Sequence, residues 1–232
     1  MNPVRRATVF DLDDTLVDSG AAWSRVCGAF AARYGHVWRA EDHAALHGNG
    51  GWASYVAGLC GGAASAAEVV ESCTTAMATE SAEGRIMALP GALDLVREAE
   101  RHGPVAVATA SSRRYVEAIL RELGLAERLY AVVCAEDVTH GKPAPDAYLR
   151  AAAGLGLPPT SCVAVEDSPN GIRSAATAGL RVLAIPRAGT RLPAEVAGLT
   201  VVQAPTASDA LPLLAQLQTL RHTSPAPAPL TV

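Results

Sequence analysis

Four carboxylates crowd the end of an apolar run. The stretch "VFDLDDTLVDS", positions 9–19, carries Asp11, Asp13, Asp14 and Asp18. Like charges this close repel, and burying them is costly unless something cationic sits among them. Asp11 and Asp13 are two residues apart, so in an extended chain both side chains point to one side. A carboxylate is already ionised at neutral pH and can attack phosphorus without an activating base. A second carboxylate can protonate the leaving oxygen and then take a proton from water. Later apolar runs end in related chemistry: Thr109-Ala110-Ser111, then Lys142 in "HGKPAPD", then Glu166-Asp167.

The elements that must position these residues follow from periodicity. "RRATVFDL", "PVAVATAS", "YAVVCAE", "SCVAVEDS" and "RVLAIP" read as short strands, with "LTVVQA" a weaker sixth. Helical patterns separate them, including "SRRYVEAILRELG", "PDAYLRAAAGLG" and "NGIRSAATAGL". A last helix, "SDALPLLAQLQTL", tolerates Pro212. Strand–helix alternation predicts an α/β fold with a doubly wound parallel sheet, and such sheets bind ligands beyond the carboxyl ends of their strands. Residues from about 18 to 85 break the alternation. They are rich in Ala, Gly and small polar residues and read as a small helical insert. The expected division is a core of 1–17 and 86–220, an insert of 18–85, and a Pro/Ala-rich disordered tail of 221–232.

Composition narrows the class. Half of the 232 residues are hydrophobic and only 4% aromatic, so Ala, Val and Leu must build the core. A net charge of -4 offers no footprint for nucleic acid or an anionic membrane. No long apolar segment follows the N-terminal arginines, so a cytoplasmic location is expected. The five cysteines are scattered and form no CxxC pair; buried free thiols are the expected outcome.

"DLDDTLVDS", the Thr109 of "VAVATASS", "GKPAPDAY" and "VAVEDSPNGI" together resemble the four signature motifs of the haloacid dehalogenase superfamily, in family order, over roughly residues 5–190. The insert resembles the cap domain of the phosphatase and β-phosphoglucomutase branch. The resemblance implies Asp11 as nucleophile, Asp13 as acid and base, and Lys142 as a charge partner. It implies Mg²⁺ held by Asp11, the Asp13 backbone carbonyl and Asp167, with Glu166 contributing directly or through water. Thr109, Ala110 and Ser111 would hold the phosphate of a small phosphorylated metabolite, at the start of a helix near Ser112. The chain is expected to work as a monomer or weak dimer.

Asp13 implies a phosphatase or a phosphomutase, because branches with other chemistry replace it. β-Phosphoglucomutases resemble this core, but where they carry a cap Arg and a His this chain has Gly51 and Trp23. Arg39 is the sole Lys or Arg of segment 36–84, a poor clamp for a distal phosphate. "ESAEGRIMALPGALDLV" is similar to the hinge of sugar-phosphate and glycerol-phosphate phosphatases. His47-Gly48 resembles a cap motif of that group, with Asn49 replacing its usual Arg. The expectation is therefore hydrolysis of a sugar or polyol phosphate, with His47, Asn49, Trp52 and Tyr55 against an uncharged hydroxylated body. A phosphomutase is the alternative, and a phospho-acceptor signalling module a remoter one. Three groups stay open: His43 and His47 as a metal pair or as cap surface and substrate contacts, Trp23, Trp38 and Trp52 as cap core or pocket wall, and Asp14 as a solvent-facing or turn-capping residue. Segments 17–20 and 82–88 are the expected hinges.

Overall fold

The computed structural model describes residues 6–219; the tail expected at 221–232 lies outside them. Six parallel strands are β1 (Ala7–Phe10), β2 (Val105–Ala108), β3 (Ala131–Val133), β4 (Cys162–Glu166), β5 (Arg181–Ala184) and β6 (Val202–Gln203). They lie in the order β3-β2-β1-β4-β5-β6, a doubly wound Rossmann-like sheet with β1 at its centre. Period-2 alternation buries both faces. Phe10, Val107, Val165 and Leu183 join one hydrophobic cluster, while Val9, Ala106, Ala108, Ala164 and Val182 join the other. Alanines on the second face let α7 (Asp146–Gly154) and α8 (Pro169–Thr177) pack closely on it.

Register delivers the strand ends to one place. Phe10 pairs with Val107 on β2 and with Val165 on β4. Asp11 therefore stands level with Ala108 and Glu166, one residue from Thr109 and Asp167. The Asp11 amide extends the ladder to Val165 O at 3.0 Å.

Four helices lie between β1 and α5 (Ala92–His102): α1 (Gly20–Ala32), α2 (Ala40–Leu46), α3 (Trp52–Leu59) and α4 (Ala66–Ala82). A capping box starts α4: Ser65 Oγ accepts from the Glu68 amide, and the Glu68 carboxylate accepts from the Ser65 amide. These helices share a cluster of their own, with Cys27, Phe30, Val56, Val69 and Cys73 at its centre. All five cysteines are buried and free. The two chain segments joining the insert to the sheet are bonded to each other, Asp18 N–H to Met87 O and Leu89 N–H to Leu16 O, both at 2.9 Å.

Behind β2, α6 (Arg113–Glu122) starts at Ser112, as its apolar spacing predicts. Ser168 caps α8 by accepting from the Gly171 amide at 3.0 Å, with Pro169 in the first turn. Pro212 does lie inside the last helix, α10 (Ala207–Thr219). The sequence patterns missed α9 (Ala194–Ala197), a single turn too short to show a period. No described helix is long and apolar enough to cross a membrane.

Candidate active site

Asp11, Lys142 and Glu166 meet below the carboxyl ends of β1 and β4. Lys142 Nζ donates to Asp11 Oδ1 at 2.5 Å and to Glu166 Oε1 at 2.6 Å, with its side chain 1% exposed. Tyr148 of α7 adds a hydroxyl bond to Glu166 Oε1 at 3.0 Å, and its ring lies under the ammonium. Glu166 Oε2 accepts from the Asp167 amide, the Ser168 amide and Ser168 Oγ, each at 3.0 Å. Both oxygens of this fully buried carboxylate are thus occupied. Its seat requires a glycine at 171, where a Cβ would come within 2.0 Å of the Glu166 carboxyl carbon.

Charge here is uneven. Burial pushes the Asp11 carboxyl well above its usual range; Lys142 opposes this, while Glu166, Asp167 and Asp13 add to it. For Glu166 burial acts in the same direction, but Lys142 and the surrounding hydrogen bonds outweigh it and hold the carboxyl low. Asp167 is pushed up to about 6 by burial, with His47 pulling against Glu166. Oxygens of Asp11, Glu166 and Asp167 lie within 4.8 Å of one another. Hard oxygen donors with too little positive charge among them fit a divalent cation.

Asp13 faces the insert. Its Oδ1 accepts from Ser19 Oγ (2.6 Å), Trp23 Nε1 (2.9 Å) and Tyr115 OH (3.1 Å), and its Oδ2 accepts from Ser111 Oγ at 2.5 Å. Thr109 Oγ1 accepts from the Ser111 amide at 3.1 Å. The amides of Leu12, Asp13 and Ala110 make no hydrogen bond among the described residues and are free to donate to an anion, as the motif around Thr109 led one to expect for Ala110.

The insert reaches in from above. His47 Nε2 meets Asp167 Oδ2 at 2.5 Å, across 120 residues of chain. Burial works to lower the His47 imidazole, but Asp167 and Asp14 outweigh it and raise it. His43 and His47 do not form a pair: His43 bonds Ser24 and Arg187, whereas His47 groups with Asp14 and Asp167. Trp23 and Trp52 line the cleft and also touch each other, with ring centroids 5.0 Å apart; Trp38 packs in the helical cluster. Asn49 lines the cleft too, but its amide group is engaged by Ala45 O and the Gly51 amide. Tyr55 turns away to bond Asp42 at 2.6 Å, and Arg39 pairs with exposed Glu41.

Of the two readings left open for Asp14, the structure bears out the capping one and not the solvent-facing one. Asp14 has a positive φ of 61° and turns inward, where it accepts from the Gly20 amide at 2.9 Å and pairs with Arg187 at 3.2 Å. Arg187, on the loop after β5, lines the cleft and was not foreseen. The signal was available, since "IPRAG" places a cation just beyond a fifth strand end.

A family model for haloacid dehalogenase-like hydrolases matches residues 6–179. Protein CbbY of Rhodobacter capsulatus is 35% identical over 198 residues, covering 80% of this chain and 87% of its own. Hexitol phosphatase A of Escherichia coli K12 is 39% identical over 180 residues, covering 76% and 81%. A crystal structure of a CbbY variant from Rhodobacter sphaeroides with xylulose-(1,5)bisphosphate superposes with a TM-score of 0.77 at 30% identity, over 88% of this chain and 95% of that one. With its four motifs gathered at one sheet edge and relatives aligned along most of its length, this chain belongs to the haloacid dehalogenase-like hydrolase family.

Proposed function

We propose that this protein is a Mg²⁺-dependent phosphatase acting on a small sugar or polyol phosphate, with Asp11 as nucleophile. The observation that carries this reading is Asp11 itself. Lys142 holds its Oδ1, and Oδ2 is left without a partner among the described residues, on the wall of the cleft. Oδ2 attacks phosphorus as the bond to the substrate's ester oxygen breaks. Asp13 protonates that oxygen, then accepts a proton from the water that cleaves the aspartyl-phosphate. Four side-chain hydrogen bonds fix the orientation of its carboxyl group. The Ala110 amide and the Thr109 hydroxyl hold the phosphoryl oxygens, while Lys142 stays on Asp11 and Glu166 as their counter-charge.

Asp11, Asp167 and the Asp13 carbonyl would hold Mg²⁺, which supplies charge compensation for the phosphoryl group and keeps Asp11 ionised against burial. Glu166, with every lone pair engaged, serves as the anchor of Lys142. Helices α1–α4 act as a cap that moves about segments 17–20 and 82–88 and excludes water during attack. The named activities of the hexitol phosphatase and the sugar bisphosphate in the CbbY structure support a phosphorylated carbohydrate as substrate. Five buried free thiols suit a reducing cytoplasm.

The test is phosphate release from a panel of sugar, polyol and glycolate phosphates with Mg²⁺. Turnover is expected, stopped by EDTA and restored by Mg²⁺. A parallel reaction offers glucose 1-phosphate with a trace of glucose 1,6-bisphosphate. Rapid conversion to glucose 6-phosphate with little free phosphate would replace hydrolysis with the mutase reaction.

A further inference from the structure

We infer that Arg187 reads the far end of the substrate, and that the preferred substrates are phosphate esters carrying a second anionic group, phosphate or carboxylate, at that end. The inference rests on the phosphatase reading for where the first phosphate lies. With that phosphate at Asp11, the substrate body must extend toward the seam between the sheet and the insert, where Arg187 stands. Of the two non-histidine cations lining the cleft, Lys142 is sealed between Asp11 and Glu166 and has nothing to offer a distal group. Arg187 is different: its side chain is 28% exposed.

The guanidinium is held in place and yet unfinished. Nη1 contacts both His43 Nε2 at 2.8 Å, from helix α2, and Asp14 Oδ2 at 3.2 Å, from the turn after β1. A guanidinium can only donate, so His43 Nε2 accepts this bond; burial and the guanidinium both lower the imidazole. Nε and Nη2 have no partner among the described residues, and neither is sealed from solvent. Gly20 provides the seat: a Cβ there would come within 3.0 Å of Nη2 and 2.8 Å of Asp14 Oδ2. A planar fork with one nitrogen anchored and two free presents the geometry that takes a carboxylate or phosphate through two parallel bonds. A hydroxyl would satisfy only one of the two open donors, whereas a carboxylate or phosphate takes both. This changes the expectation drawn from the insert alone, where Arg39 is turned away; the distal cation comes from the sheet domain.

The test measures binding in an Asp11→Asn background with Mg²⁺, where ligand is held without turnover. Two matched pairs are compared by calorimetry: glycerol 3-phosphate with 3-phosphoglycerate, and fructose 1-phosphate with fructose 1,6-bisphosphate. The anionic member of at least one pair should bind roughly tenfold tighter or more, as expected for a charge-assisted bidentate contact. Preference in the acid pair alone assigns a carboxylate, and in the bisphosphate pair alone a phosphate. Adding Arg187→Gln should erase most of the preference, and Arg187→Lys should keep part of it. Equal affinities within both pairs would overturn the inference. So would a preference that survives Arg187→Gln, or a loss equal for both members, which would make Arg187 a latch between sheet and insert. Phosphate release by the unmutated protein is followed separately on the tighter ligand. Anion preference without release would sink the phosphatase reading and leave Arg187 as the anion reader.

Discussion

Lys142 on the sheet side of the cleft is 1% exposed and spans two carboxylates, whereas His47 on the helical side is 19% exposed and holds one. Around Lys142 every donor is matched, and Tyr148, Ser168 and the amides after β4 lock Glu166 from all directions. Around His47 and His43 the bonds run between separate segments, from helix α2 and the residue that ends it to the turn after β4 and the loop after β5. The sheet side is a closed network that is costly to disturb. The helical side is a set of individual reaches that can be exchanged without dismantling the sheet. On the proposed reading, chemistry sits on the rigid wall, and substrate selection falls at the seam where helix α2 meets Arg187 of the sheet domain.

The largest expected effect breaks the rigid wall at its reacting atom. Asp11→Asn keeps shape but removes the nucleophilic charge, and phosphate release should fall by roughly 10³-fold or more. The circular dichroism spectrum should not change. Residual activity above a hundredth of the original, in protein free of contaminating phosphatase, would move the nucleophile elsewhere.

Next is the cation of that wall. Lys142→Met leaves Asp11 and Glu166 buried with no counter-charge, and breaking such a pair costs about 3–5 kcal/mol. Urea unfolding reads this directly. A loss below about 1 kcal/mol, the range of exposed ion pairs, would mean that water reaches these carboxylates.

Glycines sharpen the contrast. Gly171→Ala drives a methyl group into the Glu166 carboxylate, and overpacking of this kind costs about 1–3 kcal/mol. Gly58, exposed on helix α3, has nothing within 4 Å of its would-be Cβ. There Gly58→Ala should stabilise the protein by about 0.5–1 kcal/mol through helix propensity. Equal effects of either sign, measured by chemical denaturation, would erase the difference between the two walls.

The smallest effect is acid sensitivity within the helices. Burial works to raise the Asp42 carboxyl, but bonds from Tyr55, His36 and the Arg39 amide outweigh it and hold the group below its ordinary range. The folded state then binds this proton less readily than the unfolded one. The resulting stability is complete above the unfolded carboxyl value of about 4, and it is lost as pH falls through the depressed folded value. Asp42→Asn should cost about 1 kcal/mol at pH 7. That gap should narrow as pH falls below about 4, and melting temperatures of both proteins across this range check it. A gap independent of pH would mean that shape and not charge holds the α2 turn.

Much of the sheet side was legible from residues alone. The runs around Val9, Val107 and Val165 are short and continuously apolar, as strands of a parallel sheet covered on both faces must be, and the acids and Thr109 sit where those runs stop, with Lys142 in the loop beyond the third. Their chemistry follows from residue type, so Asp11, Asp13 and Asp167 could be singled out before any coordinate. Only the tertiary structure decided that Trp23, Tyr115 and Ser111 surround Asp13, that His47 meets Asp167, that Asn49 and Tyr55 are engaged elsewhere, and that Asp14 turns inward to Arg187. The physical reason is separation along the chain. Periodicity reports which face of an element is buried. The meeting of two loops depends on strand order, register and helix packing summed over the whole core, and no short stretch of sequence carries that sum.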